Sequence, residues 1–186
     1  MKFWHREQAA QLARRIRRAL RRGERRAGRR RKAIAENLAG GAFARLWRRT
    51  PLMPAQADQK KFQDLAGRRE VETPVAVMPD ELSAEGRNDS AWLSQQTIGK
   101  IKARHEEATP PHMLLVQKAV DGADVFAQGG VRGRKNWIAF AHDDAGELWR
   151  VAWKRTADGK IYITTFHRVK PAQLRQAEKK WRRVKK

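Results

Sequence analysis

The chain has 186 residues, with 42 Lys and Arg against 20 Asp and Glu, a formal charge of +22 and a pI of about 11.4. Such a field attracts phosphate backbones or anionic membranes. With no cysteine there can be no disulfide, thiolate nucleophile or cysteine-ligated zinc. A mean hydropathy of −0.82 with 33% charged residues supports a modest core rather than one spread over the whole chain.

No apolar run approaches the roughly 20 residues of a membrane span. The start, Met1-Lys2-Phe3-Trp4-His5-Arg6-Glu7, lacks an apolar signal region. The expectation is a soluble chain with no membrane partner and no secretion by a signal peptide.

Residues 1–50 hold 17 Lys and Arg against Glu7, Glu24 and Glu36, a local charge of +14. Leu12, Ile16 and Leu20 recur every four residues, on one face of a helix that also carries Arg14, Arg15, Arg17, Arg18, Arg21 and Arg22. That helix is expected to reach Gly23. Beyond it, Gly28 and the run Arg29-Arg30-Arg31-Lys32 oppose helix through glycine's propensity and like-charge repulsion. The segment therefore reads as a helical or disordered arm for nucleic acid. An anionic membrane, a transit-type presequence and a simple solvated tail are the other readings.

Residues 51–89 read as a linker: Pro51, Pro54, Pro74 and Pro79 bracket a possible short helix (58–66) and an extended piece (71–78), and a polar break follows at 85–89. The pattern sharpens in residues 90–186. Ser94 can cap a helix to about residue 107 with Ile98 and Ile101 buried, and Thr109-Pro110 opens a second helix to about 120. Runs rich in β-branched and aromatic residues follow at 123–127, 136–142, 148–155 and 161–167, separated by turn sequences. Pro171 then starts a basic helix over 172–186. The predicted fold is α+β: two helices, a four-stranded antiparallel sheet and a C-terminal helix, behind the basic arm.

Asp158-Gly159 signals a two-residue type I′ hairpin. Counting outward pairs Lys154 with Ile163, Ala152 with Thr165 and Arg150 with His167 on one face, and Trp153 with Thr164 and Val151 with Phe166 on the other. If His142 pairs with Trp149, then Phe140 and Ile138 complete the apolar face. The opposite face then collects Arg150, Lys154, Thr165 and His167.

These residue types suit RNA cleavage without a metal. That reaction needs a base for the 2′-hydroxyl, an acid for the leaving 5′-oxygen and fixed positive charge on the phosphorane. His167 titrates in the useful range, and His105, at the end of the first helix, supplies a second imidazole. Arg150 and Lys154 provide charge. DNA lacks the 2′-hydroxyl, so RNA is the favoured substrate and DNA the alternative ligand.

Each feature also has a plain structural reading. Trp149-Arg150-Val151-Ala152-Trp153-Lys154 is what any half-buried strand of a basic protein shows, His167 could be a strand-end residue and His105 a helix cap. Asp143, Asp144 and Glu147 are explained by turn chemistry, so neither metal nor cofactor is expected. Arg132 and Arg134 decorate a loop at 128–135 that could embrace phosphate but is not a Walker loop.

Three stretches carry a resemblance: Ser94-Gln95-Gln96-Thr97-Ile98-Gly99-Lys100-Ile101-Lys102-Ala103-Arg104-His105-Glu106-Glu107, Leu148-Trp149-Arg150-Val151-Ala152-Trp153-Lys154 and Tyr162-Ile163-Thr164-Thr165-Phe166-His167-Arg168. Over roughly residues 92–170 the chain resembles the phage-type branch of the barnase, EndoU, colicin D and RelE nucleases, which sits at the C-termini of phage head-morphogenesis and other virion proteins. The resemblance implies catalytic roles for His105, Lys154, Thr165 and His167; the residues expected to bind phosphate are Arg150, Arg168, Arg132 and Arg134. One departure is plain: the family often has proline directly after the helix histidine, where this chain has Glu106.

The expected function is thus a phage or prophage nucleic-acid-binding protein, a metal-independent endoribonuclease or toxin-like effector acting in the virion or host cytoplasm. Arg29, Arg30 and Arg31 would join the arginines of the preceding helix on the nucleic acid, and phage head or portal proteins are further candidate partners. The rival is a virion structural or genome-associated protein whose nuclease-like domain is not catalytic. A nucleic-acid chaperone is disfavoured because its tryptophans would have to be exposed to stack on bases.

Overall fold

The computed structural model describes residues 2–53, 71–83, 89–122, 124–128 and 136–184. Arg132, Arg134 and the expected helix at 58–66 lie outside them, as does the side chain of Arg14.

The molecule is α+β. Its centre is a meander of β4 (Asn136–His142), β5 (Leu148–Arg155) and β6 (Ile161–Arg168). Both hairpins close in the same way: Gly146 N–H donates to Asp143 C=O at 3.1 Å and Gly159 N–H to Thr156 C=O at 3.0 Å. Both glycines have positive φ, +82° and +85°. This is a three-residue loop, a type I turn followed by a left-handed glycine. It replaces the two-residue turn expected at Asp158-Gly159.

The longer loop moves the ladder by one residue, so Lys154 lies opposite Tyr162 and Trp153 opposite Ile163 rather than the expected partners. A bulge then follows between Ala152 and Trp153. The extra residue is Thr164, whose hydroxyl donates to Ala152 C=O at 3.2 Å. One additional residue in the turn and one in the strand cancel. From there the pairs are Ala152 with Thr165, Val151 with Phe166 and Arg150 with His167, as the sequence suggests.

At the other hairpin nothing cancels the offset. His142 pairs with Leu148 and Phe140 with Arg150, so Phe140 and Ile138 turn away from the main core, contrary to expectation. Trp137, Ala139 and Ala141 take their place beside Trp149, Val151, Trp153 and Phe166.

The sheet has seven strands among the described residues, in the order β1-β2-β6-β5-β4-β3-β7. β1 (Glu72–Val77) and β2 (Ser90–Ser94) form an antiparallel edge pair, β2 runs parallel to β6, β3 (Val125–Gln128) pairs with β4, and β7 (Arg182–Arg183) closes the far edge. The extended piece expected at 71–78 is thus an edge strand of the sheet. Pro74 is compatible with that place, since an edge leaves one side of the ladder free. The Gln117 amide occupies the backbone of Val77, accepting from its N–H at 2.8 Å and donating to its C=O at 3.0 Å.

Helices cover both faces. α3 (Gln95–Arg104), capped by Ser94 Oγ on Thr97 N–H at 3.2 Å, and α4 (Leu114–Asp121) pack on the main core through Ile98, Ile101, Val116, Ala119 and Val120. Between them Thr109 and His112 cap each other at the start of a short 3-10 turn, Pro110–Met113. On the other face, α5 (Pro171–Lys180) covers a second cluster of Phe126, Ile138, Phe140, Leu148, Val169 and Ala177. It ends ten residues in, at Trp181, and the chain turns into β7 instead of continuing to 186.

The basic segment is not a free arm throughout. α1 spans Lys2–Ala39 and α2 spans Gly41–Arg49. Ala27, Ile34 and Leu38 of α1, with Phe43 and Trp47 of α2, are buried in the main cluster. Arg30 donates to Ser90 Oγ and Arg31 bonds the Asp121 carboxylate, both at 2.8 Å, so part of the repulsion expected to end the helix at Gly23 is relieved by partners. Burial of an apolar stripe then outweighs the propensity loss at Gly28. Arg15, Arg17, Arg18, Arg21, Arg22 and Arg29 remain exposed.

Ile34→Ala and Leu38→Ala are each expected to lower folding stability by about 2–4 kcal/mol, read by urea denaturation, because both side chains are buried. A loss under about 0.5 kcal/mol, the level of an ordinary surface substitution, would show that α1 is not docked.

Candidate active site

β2 pairs with β6 only at Ile161 and Tyr162. α3 follows directly from β2 and also contacts β6. Its axis is held by Lys102, whose ammonium donates to Trp47 C=O at 2.9 Å and Thr50 C=O at 2.5 Å, capping the last turn of α2. At the end of α3, His105 leaves helical geometry (φ −140°, ψ 73°) and its imidazole lies flat on that of His167, with centroids 4.3 Å apart and planes 12° apart.

The two histidines are thus brought together from a helix end and a strand separated by 62 positions in the chain. Arg150 lies directly across the ladder from His167. Thr165, two residues before His167 and opposite Ala152, shares that face of β6 by strand alternation.

Lys154 is not part of this group. It is exposed, opposite Tyr162, and four residues along β5 from Arg150, about 13 Å at the usual rise per residue. Arg168 is also exposed; its guanidinium lies 3.7 Å from Glu147 and its N–H donates to Glu107 at 3.4 Å.

The electrostatics are set by burial. His167 is pushed down to about 4, first by desolvation, then by His105 and Arg150, with Glu107 opposing weakly. His105 is lowered too, by desolvation and by Arg104, but the Glu107 carboxylate 3.7 Å from its Nδ1 pulls the other way. Arg150 is half-buried and lowered by desolvation. His167 Nδ1 and Arg150 Nε are buried without a hydrogen-bond partner among the described residues. At neutral pH the site therefore presents a neutral imidazole in His167 and a desolvated guanidinium opposite it. Stacked imidazoles repel each other when both are charged, so the pair titrates as a unit.

An anion entering here meets a guanidinium with no paired carboxylate among the described residues and an imidazole able to accept a proton. Those are requirements for stabilising a phosphorane and deprotonating a hydroxyl.

Glu107 escaped sequence reasoning, although it stands two residues after His105. Two further side chains have partners around Trp149. His112 stacks on Trp149 with centroids 4.4 Å apart. Asp143 accepts from the Trp149 indole at 2.8 Å, the main cause of its lowered pKa, and from the turn amides of Ala145 and Glu147. Among the described residues no three His, Asp or Glu side chains gather as a metal-binding group, and no helix is long and apolar enough to cross a membrane.

Comparison of the chain with protein-family models, with curated proteins and with solved structures finds no match.

The depressed histidine predicts a pH effect with a definite sign. Between the ordinary histidine value of 6.5 and about 4, the unfolded chain binds a proton that folded His167 refuses. Stability therefore falls as pH drops through this window and is regained as pH rises. Urea midpoints at pH 7 and pH 5 should drop less in His105→Asn/His167→Asn than in the wild type. Parallel pH dependence in the two proteins would show that the imidazoles are not desolvated.

Proposed function

We propose that this protein is a nucleic-acid-binding, metal-independent endoribonuclease of phage or prophage origin, with its reaction centre at the stacked His105–His167 pair. The observation that carries this reading is the convergence of two imidazoles of unequal environment beside a half-buried arginine whose Nε has no partner among the described residues. Unequal environments separate acid from base. His167, kept neutral, accepts the proton of the 2′-hydroxyl as its oxygen attacks phosphorus. His105, also lowered by burial but less so because Glu107 opposes the shift, is the member of the pair that carries a proton more readily and passes it to the leaving 5′-oxygen. Arg150 compensates the charge that grows on the phosphorane. The products are a 2′,3′-cyclic phosphate and a free 5′-hydroxyl.

Strand binding is assigned to the exposed arginines of α1 and to the cationic surface of α5, a sequence-independent attachment through phosphates. Phage origin, and with it action in a virion or in host cytoplasm as a toxin-like effector, is carried by the resemblance of the α3, β5 and β6 sequences.

In excess EDTA the wild type is expected to cut mixed RNA but not DNA, leaving cyclic phosphate ends. His167→Ala and His105→Ala should each slow cutting by about 10²–10⁴-fold, with binding unchanged. Lys154→Ala should stay within a few-fold of wild type, since its side chain is far from the pair. RNA left uncut by a protein that binds both nucleic acids tightly would point instead to a virion structural or genome-associated protein with a non-catalytic domain.

Replacing Arg15, Arg17, Arg18, Arg21 and Arg22 by glutamine should flatten the salt dependence of single-strand binding, by roughly 0.7 in log–log slope for each phosphate that is no longer neutralised. An unchanged slope would remove α1 from the binding surface.

A further inference from the structure

α5 does not fill the space beneath it. A cavity of about 160 Å³ lies there, lined by Ile138, Phe140, Arg150, Gln173, Gln176 and Trp181. Its composition is specific. Ile138 and Phe140 are buried and give it an apolar floor. Gln173 and Gln176 are three positions apart on α5, so both amides border the same space. Trp181 stands at the helix C-cap. No carboxylate lines the cavity, and Arg150 Nε is buried without a partner among the described residues.

Size and polarity narrow the occupant. An apolar cavity of about 150 Å³ takes up one benzene ring, so this space, open on one side, seats a single six-membered ring more fully than a fused bicyclic one. An aliphatic or plain aromatic ring would leave two amides and a guanidinium unanswered, at a cost in affinity. A ring with in-plane carbonyl and N–H groups answers them, while Phe140 and Trp181 offer faces for stacking. Outside, Lys170, Arg175, Lys179, Lys180 and Arg182 are exposed along and beside α5, a surface suited to the phosphates on either side of such a ring.

We propose that the cavity beneath α5 is a subsite for one pyrimidine base of an RNA strand, gripped by Gln173, Gln176 and Arg150. Arg150 borders the cavity and also faces His167 across the ladder. The base held there belongs to the nucleotide whose 2′-hydroxyl is presented to His167. This placement rests on the ribonuclease reading, whereas the base preference does not.

Two measurements separate the two ideas. Calorimetric titration with uridine 3′-monophosphate and with guanosine 3′-monophosphate compares ligands with the same phosphate. The uridine nucleotide should bind at least about tenfold more tightly, and Gln173→Ala/Gln176→Ala should erase most of that difference, because both amides would lose their bonds to the base. Both glutamines are exposed, so the variant is expected to fold. Equal affinities, a purine preference, or a uridine preference untouched by the double substitution would overturn the subsite.

Cutting of an oligoribonucleotide containing single pyrimidines in a purine background should then occur 3′ to the pyrimidines. Indiscriminate cutting would reject the subsite and keep the nuclease. Selective nucleotide binding with intact RNA would keep the subsite and reject the nuclease.

Discussion

A single extra residue in β6 determines on which face His167 and Arg150 meet. The three-residue loop at Gly159 sets the first pairs of the β5–β6 hairpin one position out of step. Were that offset to persist, His167 would not face Arg150. Thr164 absorbs it as a bulge, and its hydroxyl answers the Ala152 carbonyl. Bulges of this kind re-aim the side chains beyond them. Here the re-aiming restores the face on which Thr165, His167 and Arg150 stand, while Ile161, Ile163 and Phe166 all remain in the core.

With that register fixed, the environment of the pair follows from what covers it. α3 runs on from β2 beside β6 and delivers His105 onto His167, while Lys102 ties the same helix to α2. α5 closes the opposite face over Phe140 and Ile138 and leaves Arg150 half-buried at the edge of a cavity. Burial with unanswered nitrogens makes Arg150 and His167 poor contributors to stability. Both retain a buried nitrogen with no partner among the described residues, a cost an apolar replacement would avoid. Groups held in that condition are poised for an incoming anion, the usual relation between strained electrostatics and function.

Much of this was legible in the sequence, in proportion to how local the signal was. β4 and β5 have the bounds that alternation predicted, Ser94 caps α3, and His167 faces Arg150 as register counting required. What failed was turn chemistry. At Asp158-Gly159 a three-residue loop replaces the two-residue one and a bulge cancels its offset, whereas at the hairpin closed by Gly146 the one residue of difference persists and sends Phe140 and Ile138 to the other face. Lys154 was grouped with the histidines by alternation as well as by the resemblance, and alternation gives the face but not the separation along the strand. The docking of α1 through Ala27, Ile34 and Leu38 was hidden because its partners, β1 and the Asp121 end of α4, are distant in sequence. Gln173 and Gln176 carried no signal beyond their spacing.

The central claim is that His105 and His167 form one desolvated, coupled pair next to the half-buried Arg150 guanidinium. Proton NMR titration of the imidazole Cε1–H signals, assigned with His105→Asn and His167→Asn, tests it most directly. The account predicts that His167 titrates near 4 and shifts when His105 is replaced, and that an RNA dinucleotide moves both histidines upward. Independent titration of both near the ordinary value of 6.5, unmoved by the nucleotide, would contradict it.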